Sequence, residues 1–446
     1  GYLDVTHRSG GYGWLDVYAK FYQMEISDLT ITVLKGDIET VEDLIDAIGA
    51  NVTLDSEAAI TAAKSAYDAL SDEDKALVDA DKVDALTAAI IKLNQLKHAD
   101  LMANLDTIYK TTGDFMATLG TPTVNSTGGE WMVIGLARSG RTVPAGYYDN
   151  VVEYVKAKAD ANERLHPAKV TDNARVILAL TAIGKDVTNV GGHNLLKGLD
   201  SMDYVQTQDI NGPIFTLIAL DSHNYPTMGD VTREKLIQVI LDAQLPDGGW
   251  NLSGENADPD MTAMAIQALA PYYKTNETVK AAVDKALEAL SALQRSDGGF
   301  GSWGTVNSES CAQVIVALTA LGIDPTADSR FVKNGHTVLD ALAGFYVTGG
   351  GFRHTAGGER NDMATEQGYY ALAAYYRFLN GQTRLYDMSD VAIQTGGTSG
   401  GDNSGNGTNN GGTPATGDTG VLVWVIALPA ALLAAAFILK RKEREA

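Results

Sequence analysis

The residues best placed to do chemistry are carboxylates at the starts of apolar helical runs. Asp258 and Asp260 flank Pro259 directly before the apolar run 261–269. Glu130, Asp172, Glu309, Asp362 and Glu366 stand at or near the starts of four other such runs. A carboxyl used as a general acid must be kept protonated by its surroundings and aimed at its substrate, and a second carboxyl nearby can tune it. The same residue types also cap helices and favour their positive ends, and proline is at home in a first turn. If the runs converge, Glu130, Trp131, Asp172, Asp260, Glu309, Asp362 and Glu366 line the mouth of one pocket, with Tyr369 deeper. Asp258 and Asp260 are the catalytic candidates, and the rest are ligand-binding candidates.

The elements that position these acids are repeats. The sequence QLPDGGW over 244–250 returns as QRSDGGF over 294–300 and, in worn form, as YVTGGGF over 346–352, a period of about 50 residues. Paired glycines let the chain leave a helix and turn sharply, and Asp favours the turn through local hydrogen bonds. The aromatic covers the junction, and the Gln amide can satisfy free backbone groups at a helix end. These turns are scaffold.

Between residues 98 and 390, twelve helical patterns form six pairs. The second of each pair ends in a small residue followed by Leu, the small residue falling at 135, 179, 219, 268, 317 and 371. These second helices are apolar nearly all round and should be buried, whereas the first helices, such as 277–290, are amphipathic and should lie outside. Strict alternation predicts an all-α domain, an (α/α)6 toroid with an inner and an outer ring. A closed ring needs no capping repeat, unlike an open solenoid, which is the other architecture the pattern allows.

With these turns and helices, the chain resembles the α/α-toroid superfamily of squalene and terpenoid cyclases and protein prenyltransferases. Gln244, Gly248 and Trp250, and again Gln294, Gly298 and Phe300, match the Q-x-x-x-G-x-W motif of the cyclases. The resemblance further implies that DPDMTA over 258–263 sits where class II cyclases carry D-x-D-D-T-A, whose middle Asp protonates an alkene or epoxide. Asp258, Asp260, Thr262 and Ala263 match, and Met261 replaces the last Asp. Prenyltransferases of the superfamily hold zinc with an Asp, a Cys two residues on and a later His. Glu309 and Cys311 echo the first two, but 364–367 offers no His, so no metal is assigned. The seven histidines show no HExxH or paired spacing, and Cys311 reads as a small buried residue. Cobalamin carriers share the ring, and DMTAMA over 260–265 resembles their inner helices, so a corrinoid is a possible ligand though no cofactor is assigned.

The flanks complete the picture. Residues 1–36 read as a short β-rich remnant, with alternation over 28–34 as a strand signal. Residues 37–97 carry three helical patterns and a short helix opened by SDED at 71–74, with Ser56 as a cap. They read as a small helical bundle acting as a spacer and resemble spacer modules of bacterial surface proteins. Residues 391–412 form a Gly/Ser/Asn linker. Residues 413–446 hold TPATG, an apolar run over 421–439 and a basic end, which together read as a single transmembrane helix. That tail resembles a Gram-positive sorting signal cut by sortase between Thr416 and Gly417, with Thr413 in place of the usual Leu. It implies an extracellular domain anchored to the cell wall.

The chain has 446 residues and a net charge of −22, which argues against nucleic acid as a partner. One cysteine excludes an internal disulfide. The sequence starts at Gly1, without Met or a signal-like stretch, and reads as a fragment or processed form. Two functions follow as expectations. One is a surface module that binds a small molecule or surface partner without catalysis. The other is a cyclase-like enzyme acting through Asp260.

Overall fold

A computed structural model describes residues 36–394. The expected β remnant falls almost wholly outside the described residues. So do the linker from 395, the apolar run 421–439 and the sorting positions Thr416 and Gly417. Among the described residues no helix is long and apolar enough to cross a membrane. The described residues divide into two compact units at the junction between Ile90 and Ile91.

In the first unit, α1 (Asp37–Asp46), α2 (Glu57–Ala69) and α3 (Asp72–Lys75) precede the start of α4 (Ala80–Ala117). Val41, Ile45, Ala63 and Leu86 make its core. Ser71 caps α3 by accepting from Asp74 N at 3.1 Å. Ser56 does not cap α2. Its hydroxyl accepts from Thr53 N at 3.1 Å, closing a capping box on a 3-10 turn, Leu54–Ser56, that leads into the helix. The helix expected over 81–96 does not end there: α4 runs on to Ala117. Its sequence holds no proline and one glycine, Gly113, so nothing local stops it at 97.

The second unit contains α5 (Trp131–Arg138), α6 (Tyr147–Lys158), α7 (Val170–Ala182), α8 (Met202–Val205), α9 (Asn211–Asp221) and α10 (Arg233–Asp242). It continues with α11 (Pro259–Leu269), α12 (Glu277–Leu293), α13 (Ser308–Leu321), α14 (Val338–Gly344) and α15 (Asp362–Leu379). Helices α5, α7, α9, α11, α13 and α15 each pack on the next, and α15 packs on α5. That contact closes the inner ring. Its residues are buried on nearly every side; in α13, Ser308–Thr319 is buried throughout. Each fully buried Leu or Ile contributes about 1.5–3 kcal/mol, so six such helices supply most of the unit's stability.

The outer ring departs from expectation at one place. Between α7 and α9 there is no full helix, only a 3-10 turn, Leu195–Leu199, and the single turn of α8. Gly198 lies so close to Asn173 Nδ2 and Glu163 O that a Cβ would not fit. The glycine admits this approach and weakens the helix there.

The repeat turns do what their residues dictate. Gln244 Nε2 donates to Gly248 O and to Ala282 O, both at 2.8 Å. Gln294 Nε2 donates to Gly298 O at 3.0 Å and Phe331 O at 2.9 Å. Each amide thus ties its own turn to the backbone of the next outer layer. Gly248 and Gly298 take φ 94° and 82°, and Asp247 and Asp297 accept from the backbone N–H two residues on. Trp250, Phe300 and Phe352 are fully buried beneath. After two of these turns the chain forms a hairpin, β1 (Gly301–Ser302) with β2 (Thr305–Val306), and β3 (Phe352–Arg353) with β4 (Arg360–Asn361). These four short strands are the described exceptions to an all-α unit.

Residues 381–394 cross the C-terminal ends of the inner helices. Met388 N donates to Ser222 O at 2.7 Å and Gln394 N to Gly184 O at 2.8 Å. Contacts with the ring therefore continue to Gln394, past the expected linker start at 391.

Candidate functional site

The N-terminal ends of the inner helices gather acids. Asp258 is the N-cap of α11: its Oδ1 accepts from Asp260 N and Met261 N, both at 3.0 Å. Its Oδ2 accepts from the Ser302 hydroxyl. Both oxygens are engaged in holding structure. Asp260, one residue past Pro259, lies half-buried, and burial pushes its carboxyl up to about 6. Asp258 and Glu309 push in the same direction, while the nearby Ser310 hydroxyl and His354 oppose. Asp260 Oδ1 has no hydrogen-bond partner, and neither has Ser310 Oγ, so the hydroxyl lies close without completing a bond.

Glu309 is 8% exposed, and its Oε2 accepts from His354 Nδ1 at 2.8 Å and Ser308 Oγ at 3.1 Å. Glu366 Oε1 accepts from Gly128 N at 2.7 Å, and its Oε2 is buried without a partner. Burial, with Asp362 and Glu130 near, pushes that carboxyl up to about 8. Glu130 is fully buried; Arg175 Nε donates to it at 2.6 Å and Tyr147 OH at 3.3 Å. Burial raises its carboxyl, and Arg175 opposes the rise. Arg175 also donates to Asp172 Oδ1 at 3.1 Å. Asp362 is exposed in the first turn of α15.

A pattern runs through these bonds. The turn of one repeat reaches the acid that opens the preceding inner helix: Ser302 to Asp258, His354 to Glu309, Gly128 to Glu366. The acids interlock successive repeats at the N-terminal ends of the inner helices.

Below the acids, side chains from different inner helices meet across the lumen. Trp131 packs against Phe215 with ring centroids 5.8 Å apart and against Tyr370 at 6.0 Å. Helices α5 and α9 are not neighbours in the ring, so the first of these contacts crosses it. Gln267 Nε2 donates to Gln313 Oε1 at 3.0 Å, and Gln313 Nε2 to Tyr370 OH at 2.6 Å and Gln367 Oε1 at 2.9 Å.

Tyr369, expected deep in the mouth, points elsewhere. It is fully buried, stacks on Tyr109 of α4 at 5.2 Å and donates to Ser139 Oγ at 2.9 Å. One residue is about 100° of helix, and it is Tyr370 that turns inward. Cys311 is fully buried and its thiol is pushed up to about 12, so it is no ready metal ligand. No group of three or more His, Cys, Asp or Glu among the described residues is arranged to hold a metal ion.

Arg175, Ser302, Ser310, Gln313, His354 and Tyr370 belong to the mouth or lumen and were not among the expected residues. A signal existed for two of them. Ser302 and His354 both fall two positions after the aromatic of a repeat turn.

Residues 193–360 match the family model of the prenyltransferase alpha-alpha toroid domain, which supports the toroid superfamily for that part of the chain. No curated protein matches the chain. Among solved structures, ent-copalyl diphosphate synthase from Streptomyces platensis is similar, with 18% sequence identity and a TM-score of 0.39. The similarity covers 77% of this chain and 86% of that one.

Proposed function

We propose that the ring is a binding module that holds a ligand or partner at its acidic mouth without catalysis, in a protein displayed outside the cell. The observation that carries this reading is the packing of Trp131, Phe215 and Tyr370 across the lumen. A cyclase must enclose a long apolar substrate, and here the Trp131–Phe215 contact crosses the lumen in which it would lie. The engagement of both Asp258 oxygens supports the reading too, because the acid that should tune Asp260 is occupied as a cap. Display outside the cell rests on the sequence of the tail, with sortase acting between Thr416 and Gly417.

One observation favours a second reading, an enzyme of class II cyclase type. Asp260 is a carboxyl at about 6 with an unpartnered oxygen, which suits a proton donor.

Native mass spectrometry of the full chain with cyanocobalamin, chitohexaose and a polyprenol, beside a turnover assay with squalene, separates the two. A complex with any of the three and no turnover is expected. Cyclised squalene that disappears in Asp260→Asn overturns the binding reading in favour of the enzyme. A corrinoid complex that survives Asp260→Ala removes acid catalysis.

A further inference from the structure

We infer that the β1–β2 hairpin carries an aromatic platform for a sugar ring, with Trp303 stacking on the sugar and the His354–Glu309 pair taking its hydroxyls. The inference rests on reading the mouth as a binding site and names the ligand class.

Trp303 is 83% exposed, far more than any other large apolar side chain in the ring. It stands at the tip of a hairpin whose loop is Trp303-Gly304, between the paired residues Ser302 and Thr305. Both loop residues have left-handed backbone, with φ 53° and 78°. Such a two-residue turn favours Asn-Gly or Gly-Gly, and a bulky aromatic at the first position is disfavoured. The turn therefore gives no reason for a Trp, and its exposure gives no packing reason either. What remains is a use for the side chain outside the fold.

The platform is anchored at the mouth. Strand β1 packs on both α11 and α13, whose first turns carry Asp260 and Glu309. Ser302, next to Trp303, is bonded to Asp258. His354 offers a half-exposed ring whose Nδ1 is fixed on Glu309, and its Nε2 has no partner among the described residues. Ser310 is fully buried with an unpartnered hydroxyl, and Asp260 Oδ1 beside it is unpartnered too. Both atoms are wholly buried and lie side by side, so they answer each other beneath the platform and leave the sugar to Trp303 and His354.

A pyranose meets such a surface well, since it has an apolar face and an edge of hydroxyls that both donate and accept. An organic cation would also stack on Trp303. It would want concentrated free negative charge, however, and here Asp258 is engaged as a cap, Glu309 is bonded to His354 and Glu366 is tied to Gly128. Paired donors and acceptors suit hydroxyls better than they suit a cation.

The test is isothermal titration of the full chain with chitohexaose, cellohexaose, xylohexaose and maltoheptaose, and with spermidine as the cation. At least one oligosaccharide should bind. Trp303→Ala should weaken it roughly tenfold or more, Trp303→Phe should weaken it less, and His354→Ala should weaken it by a few fold. Trp303 is exposed, so its removal should leave the thermal midpoint unchanged and the loss readable as binding. Silence from all four sugars, or binding of spermidine alone, overturns the sugar assignment. Sugar binding that is equal in Trp303→Ala overturns the platform, while its loss in Asp260→Asn would leave the mouth as the binding site.

Discussion

The backbone N–H of Gly128 donates to Glu366 Oε1 at 2.7 Å, joining the first repeat of the ring to the last across 238 positions of sequence. Glu366 is 2% exposed, and burial pushes its carboxyl up to about 8 from an ordinary 4.5. It therefore keeps its proton in the fold at pH values where the unfolded chain has lost it. The folded state binds more protons, so stability falls as pH rises from about 4.5 to about 8, then levels off. Glu366→Gln should remove this slope, gaining on the order of a few kcal/mol at pH 8.5 and little at pH 5. Urea midpoints of both proteins at the two pH values check it; an equal gap at both would mean that Glu366 is ionised in the fold.

Asp260 should follow the same sign over a narrower window, from its ordinary 3.8 to about 6. Because the Ser310 hydroxyl holds this carboxyl down, Ser310→Ala should move its titration higher still. Carboxyl carbon NMR on selectively labelled protein reads the midpoint directly. A downward move in Ser310→Ala would show that the hydroxyl does not stabilise the ionised form.

Much of the ring was legible in the sequence because its logic repeats. Gln244 and Gln294 stand at the same place in two turns and make the same two bonds. Other features were not legible, each for a physical reason. Helix α15 is apolar on most of its surface, so no periodicity says which of Tyr369 and Tyr370 turns inward. His354 meets Glu309 across 45 positions, a distance set by tertiary packing alone. The missing outer helix reflects the close approach of Gly198 to Asn173, which no local pattern announces. The acids stand together in the sequence at the starts of the inner helices, but their use in locking repeats together required coordinates.

The repeat turns give a graded prediction. A Cβ at Gly298 would run into Thr337 O, whereas one at Gly248 would lie 2.8 Å from Lys285 O, and both residues have left-handed backbone. Gly298→Ala should therefore cost more than Gly248→Ala, with the former at about 3 kcal/mol or above. Gln294→Ala should cost about 1–3 kcal/mol by leaving Phe331 O without its donor. Chemical denaturation of the three variants tests the order, and an equal cost for the two glycine changes would contradict the packing at Thr337.

Arg138 is the anchor of the segment that closes the far end of the ring. It is 3% exposed and donates to Leu385 O, Arg384 O and Asp387 O, to Thr383 Oγ1, and to Asp390 Oδ1 at 2.8 Å. Arg377, also buried, donates to Asp390 Oδ2 at 2.6 Å, so one carboxylate serves two buried cations. Removing one member of such a set leaves desolvated groups without partners and typically costs about 3–5 kcal/mol. Arg138→Lys should not restore it, because an ammonium cannot span the acceptors that the planar guanidinium reaches. In both Arg138→Met and Arg138→Lys, hydrogen exchange should accelerate at 382–394 while amides in the first turns of α11 and α13 keep their protection. Acceleration confined to Arg138→Met would show that charge, rather than the fork of donors, holds the segment down.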